Sequence, residues 1–260
     1  MNDHVLRRLL FVPTNNKVRN SKGVVLLEHC IDILTRVADD RTRHFHAMVP
    51  GICKFLTGRL YPCLCNVWAG ANMPVDVITS YFKCLGAMLL NRHSDFVLSK
   101  AICRAKNVKR NFTSSDNEAF WRCAFESMAR YLNVTNAPPS VLQCVLNLLH
   151  ELNEKHGSFE CFNPAMLTAF GSLLLRMICS RSHELLSDAL MDVICAVAKK
   201  NLSLFSGNTM IEFLRSMNGG NRLKPDVVLN LQTRIRNCKG SSYEFKGVLE
   251  SVINDLAFLL

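Results

Sequence analysis

The chain has 260 residues, 12 of them cysteines, and a formal net charge of +10 at pH 7. Its 49% apolar and 20% charged residues are typical of an ordered globular protein. Its apolar runs are broken by charges well before the roughly 18 residues that a membrane-spanning helix needs. The excess of Lys and Arg favours a polyanionic partner, meaning nucleic acid, an acidic protein face or an anionic membrane surface.

Residues 1–22 form a basic N-terminal segment. A single acid, Asp3, stands there against five cations, which are Arg7, Arg8, Lys17, Arg19 and Lys22. Two interpretations stay open. The segment is either a capping first helix followed by a basic loop, or an amphipathic targeting peptide for mitochondria.

From Val24 onwards the apolar residues recur with helical spacing. The pattern predicts helices over 24–38, 44–60, 74–90, 94–105 and 115–132. We expect Pro50-Gly51 to interrupt the second of these and Tyr61-Pro62 to restart the chain. Further helices are predicted over 206–217 and 225–238 and from Ser241 to the last residues, where Ser241 and Glu244 have the spacing of a capping box.

Residues 138–200 are the clearest stretch and predict three consecutive helices separated by short turns. The second starts at Asn163-Pro164, a capping residue followed by proline at the first helical position. The inward faces predicted for the three helices are Leu142, Val145, Leu149 and Leu152, then Leu167, Phe170, Leu174 and Ile178, then Leu186, Leu190, Val193 and Val197.

No run of alternating apolar and polar residues between hairpin turns requires a strand. Helix starts recur about every 20 residues, which predicts antiparallel helix pairs of about 40 residues. The fold class is therefore all-α, a right-handed α-solenoid of antiparallel helix pairs, with residues 23–260 forming one helical-repeat domain.

The cysteines are scattered singly and several fall next to core positions, so we interpret them as reduced, packed thiols rather than disulfides. His44 and His46 with Cys63 and Cys65 are the nearest approach to a metal site. One intervening residue in each pair is shorter than structural zinc sites use, so no metal is expected.

No nucleotide-binding glycine loop, nucleophile elbow or zinc-protease helix is present in the sequence. We therefore expect no enzyme, no cofactor and no small-molecule substrate. Trp121 shares a stripe with Phe125 and Met128, which favours the core, whereas Trp68 could lie in the core or stack on a base.

Two clusters of cations are candidate phosphate contacts, because Lys and Arg position a nucleic-acid backbone without reading its sequence. The first comprises Lys100, Arg104, Lys106, Lys109 and Arg110, with no acid from Phe96 to Ser115. The second comprises Arg222, Lys224, Arg234 and Arg236. Both could instead be solvated helix faces and loops.

The C-terminal part carries a family resemblance in four segments, 186–190, 205–214, 224–228 and 243–256. It resembles the degenerate helical repeats of FAST-kinase-like and octatricopeptide-type RNA-binding proteins. It is equally similar to armadillo and HEAT repeats. The first resemblance implies RNA and mitochondria; the second implies protein binding.

The leading hypothesis is a non-enzymatic helical-repeat protein that binds RNA or a ribonucleoprotein through a basic face. Its predicted location is the mitochondrion, or otherwise another reducing intracellular compartment. The alternative is an armadillo/HEAT-like protein–protein interaction scaffold that docks an acidic partner.

Overall fold

In the computed structural model the described residues are 22–40, 48–65, 74–91, 114–180, 183–217, 223–238 and 241–259. All regular secondary structure in these ranges is helical. The chain divides into two compact units, Met1–Val145 and Leu146–Leu260. Because a helical-repeat domain can contain several compact units, the domain predicted over 23–260 stays a prediction. The predicted helix 94–105 lies outside the described residues.

The described part of the first unit contains α1 (Lys22–Asp39), α2 (Val49–Phe55), α3 (Tyr61–Cys65), α4 (Val75–Asn91) and α5 (Ser114–Leu132). A sixth helix, α6 (Pro139–His156), begins in this unit and ends in the second. In α1, Leu27, Ile31 and Ala38 are fully buried, and Leu34, on the same face, is half-buried.

Helices α1 and α4 run parallel. Ser80 Oγ donates a hydrogen bond to Asp32 Oδ1 at 3.0 Å, and Asn91 Nδ2 donates one to Asp39 Oδ1 at 2.8 Å. From the first hydrogen bond to the second, the residue number rises in both helices, so the two helices run in the same direction. Equivalent helices of successive repeats are related in this way when each repeat is a pair of antiparallel helices.

Aromatic side chains connect α4 to α5. The ring of Phe82 is fully buried and meets Tyr131 edge-on, with 5.2 Å between ring centroids. It meets Tyr81 in the same way at 5.1 Å. Edge-to-face contacts of this kind add to the burial of the rings themselves. This cluster therefore fixes the packing of α4 on α5.

Between residues 48 and 65 the chain stays helical, whereas Pro50-Gly51 was expected to interrupt a helix over 44–60 and Tyr61-Pro62 to restart the chain. Residues 44–47 lie outside the described residues. Pro50 lies in the first turn of α2, where its missing N–H removes no hydrogen bond. Pro62 follows a π-helical turn, Leu56–Leu60, that joins α2 to α3. The amide of Tyr61 donates to the carbonyl of Leu56, five residues back, so the chain stays helical through the proline.

A second π-helical turn, Phe205–Thr209, lies in the second unit and joins α9 (Leu202–Leu204) to α10 (Met210–Ser216). There the amide of Met210 donates to the carbonyl of Phe205. Each of the two turns contains a hydroxyl residue followed by glycine, Thr57-Gly58 and Ser206-Gly207. The predicted helix 206–217 thus begins earlier than expected, at Leu202.

The second unit also contains α7 (Pro164–Cys179), α8 (Ser187–Lys200), α11 (Pro225–Asn237) and α12 (Ser242–Leu259). Helix α7 packs against α8, α10 and α12. Most of the stripes predicted for 138–200 are buried, although Ile178 is only half-buried. The buried set is Leu142, Val145, Leu149, Leu152, Leu167, Phe170, Leu174, Leu186, Leu190, Val193 and Val197.

Glycine at position 171 allows α7 to approach the second π-helical turn closely. A Cβ atom there would lie 2.7 Å from Cγ2 of Thr209 and 3.5 Å from the ring of Phe205. Carbon atoms do not normally approach each other within 3.0 Å. The absence of a side chain at Gly171 is therefore a requirement of the packing.

The helix caps predicted at Asn163 and Ser241 are present. Asn163 Oδ1 accepts a hydrogen bond from the amide of Met166 at 2.9 Å, with Pro164 at the first helical position. At α12, the amide of Ser241 donates to Glu244 Oε2 at 2.6 Å and the amide of Glu244 donates to Ser241 Oγ at 3.3 Å. This reciprocal pair is a capping box.

Replacing Asn163 by alanine will lower the free energy of unfolding by about 1 kcal/mol, because the amide of Met166 loses its acceptor. Thermal unfolding followed by circular dichroism measures the change. The control is Asn163→Asp, which keeps an acceptor oxygen and will leave stability close to that of the wild type. Equal melting temperatures for the alanine and aspartate variants would contradict the role of the cap.

Candidate functional site

The first cationic cluster, Lys100, Arg104, Lys106, Lys109 and Arg110, lies outside the described residues. Its assignment as a nucleic-acid contact stays a prediction. The segment 92–113 that contains it follows the C-terminal end of α4. Asn91 at that end is hydrogen-bonded to Asp39 at the end of α1, so the chain leaves both helices at the same edge.

The second cluster contains Arg222, which lies outside the described residues, and Lys224, which is exposed before the first turn of α11. Its other two members are held by internal contacts. Arg234 Nη1 pairs with Asp255 Oδ2 at 2.5 Å, and Nη2 donates to Ser251 Oγ at 2.7 Å. Arg236 Nε donates to the buried Ser206 Oγ at 2.8 Å.

These contacts give Arg234 and Arg236 a structural role. Arg234 joins α11 to α12, and Arg236 joins α11 to the π-helical turn. Sequence spacing could not indicate either contact, because the partners lie 17 to 30 residues away along the chain. The assignment of both arginines as nucleic-acid contacts stays a prediction.

The positive charge of the protein is not distributed over its helices. The described residues contain 16 Lys and Arg and 19 Asp and Glu, a formal net charge of −3. The rest of the chain contains the other 15 Lys and Arg with 2 Asp and Glu, a formal net charge of +13. The helical framework is therefore slightly acidic. The inference from net charge to a polyanionic partner applies only to the remaining segments.

The ten cysteines whose side chains the structure describes form no disulfide, and five of them are buried while five are half-buried. Burial raises the pKa of Cys84 and Cys179 to about 12 and of Cys123 and Cys195 to about 11. A thiol with so high a pKa is protonated at neutral pH, and it is the thiolate that attacks an electrophile. These four cysteines are therefore poor nucleophiles.

The residues considered for a metal site do not come together in the part of the chain that the structure describes. His44 and His46 lie outside it. Cys63 is buried and Cys65 is half-buried on α3. No group of three or more His, Cys, Asp or Glu side chains that could hold a metal ion occurs among the described residues.

Trp121 stacks on Phe125 with 5.0 Å between ring centroids and 7° between ring planes. It is half-buried, whereas the apolar stripe on α5 favoured the core. Trp68 lies outside the described residues. Across the described ranges no helix is both long and apolar enough to cross a bilayer.

Among the described residues of the first unit, α1 has an exposed apolar surface that the sequence analysis missed. We define the outer flank of α1 as Val25, Leu26, His29, Ile33 and Arg36, all of which are exposed. Leu26 and Ile33 keep 57% and 61% of their surface in solvent although they lie within a long helix. A second set of apolar positions outside the inward stripe is the signal that could have revealed this flank.

Comparison with known families gives one match over most of the chain. Residues 89–260 match the family model of the exportin-6 C-terminal TPR repeats. Exportin-6 of Danio rerio is 24% identical over 242 residues, which cover 92% of this chain and 20% of the relative. Exportin-6-A of Xenopus laevis is 24% identical over 204 residues, 76% of this chain and 17% of the relative.

The chain thus spans one fifth or less of the length of these curated relatives. No solved structure matches it. The family match confirms the all-α, solenoid-like fold class and the resemblance to helical-repeat proteins in general. It does not support the FAST-kinase-like and octatricopeptide-type families or the armadillo and HEAT families.

The predicted mitochondrial location is wrong. The relatives are exportins, which act in transport between nucleus and cytoplasm. The prediction depended on the basic, acid-poor segment 1–22, on the net charge and on the resemblance to FAST-kinase-like and octatricopeptide-type proteins, which the family match does not support. Neither the basic segment nor the net charge is specific to mitochondrial proteins.

Proposed function

Because the chain belongs to the family of the exportin-6 C-terminal TPR repeats, we propose that it is a non-enzymatic, protein-binding segment of a nuclear export protein. The single observation that carries this proposal is the family match over residues 89–260. Stacked helical repeats present extended surfaces on which other proteins bind. The name of the relatives suggests that the bound protein is cargo or a transport partner.

The distribution of charge supports a protein partner for the helices. Their formal net charge of −3 gives the framework no general attraction for a nucleic-acid backbone. The outer flank of α1 instead offers apolar surface, which proteins bury when they associate. We therefore favour the second function that the sequence suggested, a protein–protein interaction scaffold.

RNA binding is a second candidate, and one observation favours it. The segments outside the described helices carry a formal net charge of +13. Two of them, 41–47 and 92–113, follow α1 and α4 at the edge that Asp39 and Asn91 share. Lys and Arg side chains of these segments could contact phosphates.

We expect the immobilised chain to retain the same set of nuclear-extract proteins before and after nuclease treatment. The reason is that protein contacts made by the helices do not depend on a nucleic-acid bridge. Mass spectrometry of the retained proteins measures the outcome. Loss of the whole set after nuclease treatment would contradict a protein scaffold.

A charge-reversal pair separates the two candidates. The test variant is K106E/K109E/R110E. The matched control is K54E/K83E/R215E, which changes the net charge by the same amount at exposed positions on three described helices. If RNA is a ligand, anisotropy of labelled single-stranded RNA will fall for the test variant alone. A scaffold will show no such difference, and the retained proteins will be unchanged in both variants.

A further inference from the structure

Two arginines of α11, two residues apart, use their guanidinium groups in different ways. Arg234 has both terminal nitrogens occupied, since Nη1 pairs with Asp255 and Nη2 donates to Ser251. Arg236 is held through Nε alone, which donates to Ser206 Oγ at 2.8 Å. Among the described residues no acceptor engages Nη1 or Nη2 of Arg236. These two nitrogens carry N–H donors, and the residue is exposed.

The guanidinium of Arg236 is fixed in place before a partner binds. Its acceptor, Ser206, is fully buried in the second π-helical turn. The hydroxyl of Ser206 donates in turn to the carbonyl of Ser203 at 3.3 Å, so its lone pairs remain available to Nε of Arg236. A Cβ atom at Gly207 would lie 3.5 Å from Nη2, so the guanidinium lies close over the backbone of the turn. An arginine held in this way has already lost much of the side-chain freedom that binding otherwise removes.

The charge of Arg236 is not compensated by the elements on which it packs. Helix α11 contacts α9 and the second π-helical turn, and residues 201–211, which include both, contain no charged side chain. On α11 itself the only acid is Asp226, which is ten residues and therefore about 15 Å away along the helix axis. An anion placed at Nη1 and Nη2 thus meets a fixed cation, and no acid on these elements lies close enough to repel it strongly.

A carboxylate fits this geometry better than a nucleic-acid backbone does. The parallel N–H donors of an arginine match the two oxygens of one carboxylate. RNA binding draws its affinity from several phosphate contacts at once. The other cation of α11, Arg234, is already paired with Asp255. Helix α11 therefore offers one fixed cation to a ligand.

We propose that Arg236 is a preorganised binding site for a carboxylate side chain of a partner protein, with Ser206 as its positioning residue. Leu229 lies seven residues before Arg236, on the same side of α11, and keeps 58% of its surface in solvent. An apolar residue of the same partner segment covers Leu229. The inference rests on the proposed function and adds to it a contact point and a partner chemistry.

The test is an NMR titration of the full chain labelled with ¹⁵N, in which the arginine Nε–H signals are followed as sodium acetate is added. Acetate supplies a carboxylate without any other recognition element, and sodium chloride at the same ionic strength is the reference. The Arg236 signal is identified by its loss in Arg236→Lys. We expect it to shift and to saturate with a dissociation constant on the order of tens of millimolar.

A variant and a matched control test the positioning. Ser206→Ala keeps the charge but frees the guanidinium, so it will weaken acetate binding by about threefold or more. Unchanged affinity in a folded Ser206→Ala protein would refute the positioning role. Arg215 of α10 is the control, because it is exposed and has no hydrogen bond to another described residue. We expect its signal to show no saturable shift.

Circular dichroism melting will show whether Ser206→Ala is folded. If it is not, the comparison of Arg236 with Arg215 in the wild type decides the question.

Four results would overturn the proposal. The first is an Arg236 signal that shifts no more with acetate than with chloride. The second is an equal, saturable shift at Arg215. The third is binding of labelled single-stranded RNA that Arg236→Ala abolishes, which would make phosphate the ligand. The fourth is an Arg236→Ala variant that retains every nuclear-extract protein that the wild type retains. That result would refute the contact while the proposed function stands.

Discussion

Replacing Phe82 by alanine will lower the free energy of unfolding by about 3–5 kcal/mol. The ring is fully buried and makes edge contacts with Tyr81 and Tyr131, so its removal leaves a cavity between α4 and α5. Urea unfolding followed by tryptophan fluorescence measures the change. The chain has two tryptophans, Trp68 and Trp121, and both lie in the first unit with Phe82.

The control for this prediction is Phe82→Leu, which keeps most of the apolar volume. It will cost less than about 1.5 kcal/mol, since volume-conserving apolar exchanges are tolerated best. A double-mutant cycle with Tyr131→Leu and Phe82→Leu will show whether the two rings couple. A loss below about 1 kcal/mol for Phe82→Ala would mean that the ring is not packed as we describe.

The second large effect is expected at Gly171. Alanine is the better helix former by about 1 kcal/mol, yet Gly171→Ala will destabilise the protein by about 1–3 kcal/mol. The new methyl group would lie 2.7 Å from Cγ2 of the buried Thr209, and overpacking a core costs more than the propensity gains. Circular dichroism during urea unfolding reports the change.

A second substitution tests the mechanism. Thr209→Ser removes Cγ2, so G171A/T209S will be more stable than the sum of the two single changes implies. Gly247→Ala on α12 is the matched control, because a Cβ atom there meets no atom within 4 Å. It will leave stability unchanged or raise it by up to about 1 kcal/mol. If Gly171→Ala stabilised the protein as well, the close approach of α7 to the π-helical turn would be refuted.

Periodicity predicted most of the core. The stripes of α6 and α8 are buried because a helix with one apolar face has one favourable orientation. The caps at Asn163 and Ser241 were predicted for a similar reason, since each depends on residues three positions apart. Local rules of this kind can be read from a sequence.

Other features depend on residues that are distant in the sequence. The contacts of Arg234 and Arg236 join different helices, so an exposed cation and a structural one look alike in the sequence. The net charge of +10 is the sum of slightly acidic helices and strongly basic segments, so it did not reveal that the two differ in sign. The outer flank of α1 was missed because only the inward stripe was used to assign the helix.

The two π-helical turns have a consequence for how this chain is aligned with its relatives. A turn closed five residues back holds one residue more than an α-helical turn. Each residue rotates the helix by about 100°, so a relative with a plain helix has its later side chains out of phase by that angle. A one-residue gap opposite Leu56–Leu60 or Phe205–Thr209 restores the phase. Without it, Tyr61 and Leu64, which are buried here, would be aligned with positions that point about 100° away from theirs.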